Sequence, residues 1–175
     1  MLTTVERPTS ITIANTSEPR FTQDHQTRKW ALSENASGYP RRAELLKYAQ
    51  RELANLRRLP EGWDGGNARG VRSELANVAL ALIDAVTRVD GLATPQFTPL
   101  ADGGLEVTWL VGGDRLVITL EPEVFSIRGV LRDGHELLSF ERRYGEDFSS
   151  ELETVLRDAQ RFLLKISARV RHQLL

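Results

Sequence analysis

The chain has no cysteine. That excludes a disulfide framework, a thiolate zinc site and a cysteine nucleophile together, and it agrees with a reducing cytoplasm. Histidine is nearly as scarce. His25, His135 and His172 stand far apart, with no second histidine at ligand spacing, so a histidine metal site is not expected. Neither sign of charge is in excess: 23 Lys and Arg oppose 24 Asp and Glu. A global polyanion-binding character is therefore absent. Long apolar runs are missing too. The first thirty residues do not read as a signal peptide, and the most apolar helix is too short to span a bilayer. The expectation is a soluble cytoplasmic protein that avoids membranes.

At 175 residues the chain fits one domain, with room for an appendage. A domain of this size buries roughly two-thirds of its unfolded surface and needs no covalent staple. Residues 1–38 form the appendage, an N-terminal arm rich in Thr, Ser, Asn and Pro. Such composition suits a disordered tail. It also suits an arm that orders on a partner, with Ile11 and Ile13 alternating as an edge strand and Phe21 and Trp30 as isolated aromatic anchors. Residues 39–175 are expected to be one α+β domain.

A first helix is expected to begin at Pro40, with Leu45, Leu46, Ala49, Leu53 and Leu56 as its apolar stripe. Its polar face carries Arg41, Arg42, Lys47, Arg51 and Arg58, which are candidate nucleic-acid contacts as well as an ordinary solvated face. Pro60 ends it. The loop that follows, Leu59-Pro60-Glu61-Gly62-Trp63-Asp64-Gly65-Gly66, holds a tryptophan between glycines. Trp63 there is either a plug on the helix ends or an exposed partner-binding side chain, and Asp64 is either an Asx-turn former or an acid/base. A second helix, capped by Ser73 and running to Val89, is apolar nearly all round and is expected to be the central core helix.

An extended piece with Pro95 and Pro99 suits a sheet rim. Four antiparallel strands are expected after it. Leu105, Val107, Trp109 and Val111 share one face of the first; Leu116, Ile118 and Leu120 alternate in the second. In the third, Phe125 and Ile127 oppose Val124 and Val130. Gly112-Gly113 supplies one tight turn, and Asp133-Gly134 is the strongest type I′ hairpin signal. The fourth strand runs from His135 to Glu141. A long C-terminal helix then starts at a capping box, Ser150 with Glu153. The fold class is thus α+β: two N-terminal helices, a four-stranded antiparallel meander and a long last helix, packed on one sheet face. The other sheet face and the arm remain for a partner.

Catalytic motifs are absent. Gly62-x-x-Gly65-Gly66 lacks the Lys-Ser/Thr of a phosphate loop, and no Gly-x-Ser-x-Gly occurs. The remaining raw material is carboxylate: Glu61, Asp64, Asp102, Glu106 and Asp114 gather at one edge if the two glycine loops meet there, where they would bind magnesium or act as acid and base. No catalytic residue, metal or cofactor is assigned.

At Leu59-Pro60-x-Gly62-Trp63-Asp64-Gly65 the chain resembles a group of small bacterial proteins in which a Gly-Trp-Asp loop precedes a helix, a proline-containing extended piece, an Asp-Gly-Gly turn and a tryptophan-bearing strand. The later features here are Pro95, Pro99, Asp102-Gly103-Gly104 and Trp109. The resemblance covers roughly residues 45–120. Gly70-Val71 stands where that group often has proline. What it implies is a common module of the accessory kind, with no activity to carry over.

The expected function is a non-catalytic protein-binding module: an accessory, immunity or antitoxin-like subunit that occludes or scaffolds a larger subunit or a toxin or effector. The alternative is a nucleic-acid-associated protein using the basic first helix; a third is a carboxylate-metal enzyme on Asp64 and Asp102. Homodimerisation through the long last helix is compatible with all three.

Overall fold

The computed structural model describes residues 40–144, 147 and 149–173. The arm candidates Ile11, Ile13, Phe21 and Trp30 lie outside the described residues. The element order is α1 (Arg42–Leu56), α2 (Ser73–Val86), β1 (Gln96–Pro99), β2 (Leu105–Val111), β3 (Asp114–Leu120), β4 (Val124–Val130), β5 (Glu136–Arg143) and α3 (Ser149–Gln173). The class is α+β, as its periodicities predict. The sheet is an antiparallel meander in strict chain order, β1-β2-β3-β4-β5, so it has five strands and not four. The additional strand is the proline-flanked piece. β1 pairs only with β2, Gln96 opposite Thr108 and Pro99 opposite Leu105. An edge strand needs half its backbone groups paired, which is why Pro99 is tolerated at its end.

Helix ends differ from the sequence expectation by a residue or two. α1 starts at Arg42, because Arg41 is extended and its amide donates to Glu44 Oε2 at 3.1 Å, so a glutamate back-bond and not Pro40 sets the start. Arg72, not Ser73, occupies the cap position of α2. That helix stops at Val86 and not Val89, where the Thr87 hydroxyl donates to Ile83 O at 2.6 Å and its backbone leaves the helical region. α3 is already helical at Ser149, one residue before the expected cap.

α1 and α2 run antiparallel. The Arg42 amide donates to Asp90 Oδ1 at 2.8 Å, and the Arg42 guanidinium pairs with Asp84, joining the start of one helix to the end of the other. Leu75, Ala76, Ala79, Leu82, Ile83 and Val86 bury the inner face of α2, which is the expected core helix. The core lies between the helices and one sheet face. Leu105, Val107 and Trp109 from β2, Leu116, Ile118 and Leu120 from β3, Phe125 and Ile127 from β4 and Phe140 from β5 meet Phe162, Leu163 and Ile166 of α3. Trp109 is fully buried, and its indole N–H finds no hydrogen-bond partner among the described residues.

The two hairpin turns exchange roles relative to the sequence expectation. Val111 is opposite Asp114 across Gly112-Gly113, and both glycines have positive φ, 60° and 93°, so the type I′ turn is here. At Asp133-Gly134 only Gly134 is left-handed, with φ 88°. The Leu131 amide bonds His135 O at 2.9 Å and Gly134 N bonds Leu131 O at 2.8 Å, which makes a three-residue loop. Asp133 keeps a negative φ because its side chain accepts the His135 amide at 3.0 Å. A register shift follows: Gly129 is opposite Leu138, yet Val130 is opposite Glu136, which leaves Leu137 as a bulge residue.

Candidate functional site

The two glycine loops do meet. The Arg69 amide donates to Ala101 O at 3.1 Å and the Arg72 amide to Gly103 O at 3.0 Å. Their carboxylates, however, turn inward on their own loops. Asp64 Oδ1 accepts the amides of Gly66 at 2.8 Å and Ala68 at 3.3 Å; Asp102 Oδ1 accepts Gly104 N at 2.8 Å. Asp114 is buried and accepts the Arg132 amide at 2.9 Å, near the opposite end of β3 from Leu120 and the 100–104 loop beside it. Glu106 accepts the Thr108 hydroxyl at 2.9 Å on the open sheet face. Among the described residues no three Asp, Glu or His side chains cluster so as to hold a metal ion. Trp63 is half-buried, and its indole N–H donates to Arg69 O at 3.0 Å, closing the loop over itself.

The basic residues of the first helix are placed along α1 and its C-terminal turn. Arg42 is spent on Asp84 and Arg51 on Glu52. Arg51 also lies over the Tyr48 ring, 5.6 Å from its centroid. Burial raises the Tyr48 phenol above its ordinary range, with the Glu52 carboxylate adding to the rise and Arg51 opposing it. Arg41, Lys47 and Arg58 are exposed.

A concave feature lies elsewhere, on the sheet. Strand alternation sends one set of side chains into the core and the other onto the face away from the helices. On that second face β2–β5 form a trough of about 390 Å³. Its floor is made of small and β-branched side chains: Val117 and Thr119 from β3, Ser126 and Val130 from β4. Ser126 is 9% exposed although nothing among the described residues lies over it, because tall neighbours ring it. The ring consists of Glu106, Arg115, Glu121, Arg128 and Glu141. Arg128 and Glu141 approach at 3.5 Å, both more than half exposed. Cross-strand register explains the layout. Thr108, Val117 and Arg128 form one row, and Glu106, Thr119, Ser126 and Glu141 form the next.

Two large apolar side chains stand at one end of this face. Leu110, opposite Arg115, is 57% exposed, and the bulge residue Leu137 is 53% exposed. Chemically, the trough offers hydroxyls, two guanidinium groups, three carboxylates and a little apolar surface. Its lining contains no histidine, cysteine or lysine. The sequence carried its signal in the polar half of each strand's alternation, which the core pattern of the other half overshadows.

No family model matches the chain, and no curated protein or solved structure matches it either.

Proposed function

We propose that the chain is a non-catalytic protein-binding module, an accessory, immunity or antitoxin-like subunit that occludes or scaffolds a partner protein, and that the open sheet face is its docking surface. The observation that carries this reading is the trough itself. A five-stranded sheet has one face sealed by helices and the other uncovered among the described residues, with a floor of small side chains and a ring of charges of both signs. Antiparallel sheets commonly leave one face to water, but Leu110 and Leu137 place exposed apolar surface beside that ring. The motif series around Trp63 and Asp102, similar to small accessory-type bacterial proteins, is consistent with it. The nucleic-acid reading stands second, because Arg42 and Arg51 of α1 are engaged by acidic neighbours.

The test is a native pull-down from the protein's own cells with two baits, the wild type and Thr119→Arg, which fills the trough floor. Mass spectrometry and the nucleic-acid to protein absorbance ratio read the eluate. The expected result is one stoichiometric protein with the wild type, lost with Thr119→Arg at unchanged melting temperature. A wild type that comes down with nucleic acid, or with neither another protein nor an untagged second copy of itself, overturns the proposal.

A further inference from the structure

Charges on the open face follow a pattern along the strands. The midline row of the sheet is Val107, Ile118, Ile127 and Phe140, each opposite the next. Three residues to either side of it on β3 stand Arg115 and Glu121. On β4 the same two levels hold Val130 and Val124. On β5, Glu136 is opposite Val130 and Arg143 is opposite Val124. Base therefore answers acid on β3, apolar answers apolar on β4, and acid answers base on β5.

Such a face is complementary to itself under one operation. A twofold axis lying in the plane of the face, across the strands at the level of Ile118, exchanges the two ends of every strand while keeping each strand over its own copy. We propose that the partner of this face is a second copy of the chain, docked face to face about that axis. Arg115 of each copy then stands opposite Glu121 of the other, Glu136 opposite Arg143, and Val130 opposite Val124. A twofold axis parallel to the strands would instead bring Arg115 toward Arg115 and Glu121 toward Glu121, which like-charge repulsion disfavours. Two sheets of the same twist pack with strands within about 30° of alignment, an offset that long Arg and Glu side chains span.

Area sets the strength. Five strands about 4.8 Å apart and seven residues at about 3.4 Å each give a flat patch of roughly 20 Å by 20 Å. Two copies then bury on the order of 1,000 Å², the size of a weak, transient association rather than an obligate dimer. The dimer is therefore expected in the micromolar range and to weaken with salt, because its end contacts are rim charges.

This inference rests on the reading of the open face as a docking surface, and its test separates the two. Sedimentation velocity of the full chain across the micromolar range is run for the wild type, Arg115→Glu, Glu121→Arg, the double variant carrying both, and an equimolar mixture of the two single variants. Melting curves establish that each is folded. The expected result is a salt-sensitive wild-type dimer, association weakened at least about tenfold in each single variant, and recovery in both the double variant and the mixture. The mixture recovers because each chain then presents the charge its partner lacks. A wild type that stays monomeric overturns the second-copy proposal, and the Thr119→Arg pull-down then decides separately whether the face docks another protein. A dimer indifferent to both reversals overturns it as well, since its interface then lies on another surface.

Discussion

The Arg72 amide donates to the Gly103 carbonyl at 3.0 Å, and a Cβ on Gly103 would stand 3.2 Å from Arg72 Cγ and 3.3 Å from Gly70 O. This contact joins the start of α2 to the turn that feeds β2. Gly103 also has φ 85°, where an L side chain is strained. Gly65 has the same φ with nothing within 4 Å of its Cβ position. The pair separates backbone strain from crowding. Gly65→Ala is expected to cost about 1 kcal/mol, and Gly103→Ala about 2–3 kcal/mol because strain and overpacking add. Urea unfolding of both variants measures the difference, and equal losses would mean that the Arg72 contact yields easily.

Asp64 is a turn former in this geometry, and its two accepted amides give a prediction that the acid/base and metal readings do not share. Asp64→Asn keeps an acceptor oxygen and is expected to leave stability nearly unchanged. Asp64→Ala orphans the Gly66 and Ala68 amides and is expected to cost about 1–2 kcal/mol, lessened by their access to water. Magnesium or calcium is expected to leave the melting temperature unchanged in all three proteins. A divalent-ion stabilisation of the wild type that disappears in Asp64→Asn would establish the metal reading instead.

Burial raises two phenols, Tyr48 and Tyr144, above their ordinary ionisation range. Tyr48 packs on Phe97 with ring centroids 5.9 Å apart, and Tyr144 stacks on Phe125 at 6.2 Å. The folded state thus resists ionising them. Their contribution is fully present below about pH 10, where the phenols of the unfolded chain are still neutral. It is lost as pH rises through the higher folded values, since the unfolded chain releases those protons first. Stability is expected to fall at alkaline pH, and the Tyr48→Phe/Tyr144→Phe double variant is expected to lose less of it over the same window. Unfolding curves at neutral and alkaline pH give the comparison.

What was legible in the sequence depended on whether a local pattern had one physical solution. The alternation of Leu105, Val107, Trp109 and Val111 admits only a strand with one buried face, and the stripe from Leu152 to Ile166 only an amphipathic helix; both stand as expected. Gln96–Pro99 was ambiguous because four residues with a terminal proline read equally as a rim or a strand, and pairing with β2 decides it. Asp133-Gly134 was ambiguous for another reason. The same dipeptide serves a two-residue and a three-residue loop, and the choice falls to the bulge that places Glu136 opposite Val130. The candidate site was the least legible. The carboxylates that stood out in the glycine loops are bound by their own turns, whereas the trough is assembled from scattered Thr, Ser, Arg and Glu side chains that only the register brings into rows.

At Gly129 the Phe162 ring of α3 lies close against β4. A Cβ there would lie 3.1 Å from Leu138 Cβ and 3.3 Å from two ring atoms of Phe162. Its neighbours on the core side of β4 are the bulky Phe125 and Ile127, so a glycine in this row makes room for one aromatic ring from the helix. Gly129→Ala must push that ring or the β5 edge by a few tenths of an ångström. The loss is expected to be about 1–2 kcal/mol, reduced by the better strand propensity of alanine. Phe162→Leu removes the ring edge and is expected to cost a similar amount by itself, since Phe162 is buried. If the contact is limiting, the two losses do not add: the double variant regains about 1 kcal/mol relative to their sum, as neighbouring residues in one packing contact do. Additivity within about 0.5 kcal/mol would show that β5 yields instead of the helix. In that case Gly129→Ala shifts the bulge at Val130 and Glu136, and the dimer contact between Glu136 and Arg143 should weaken along with it.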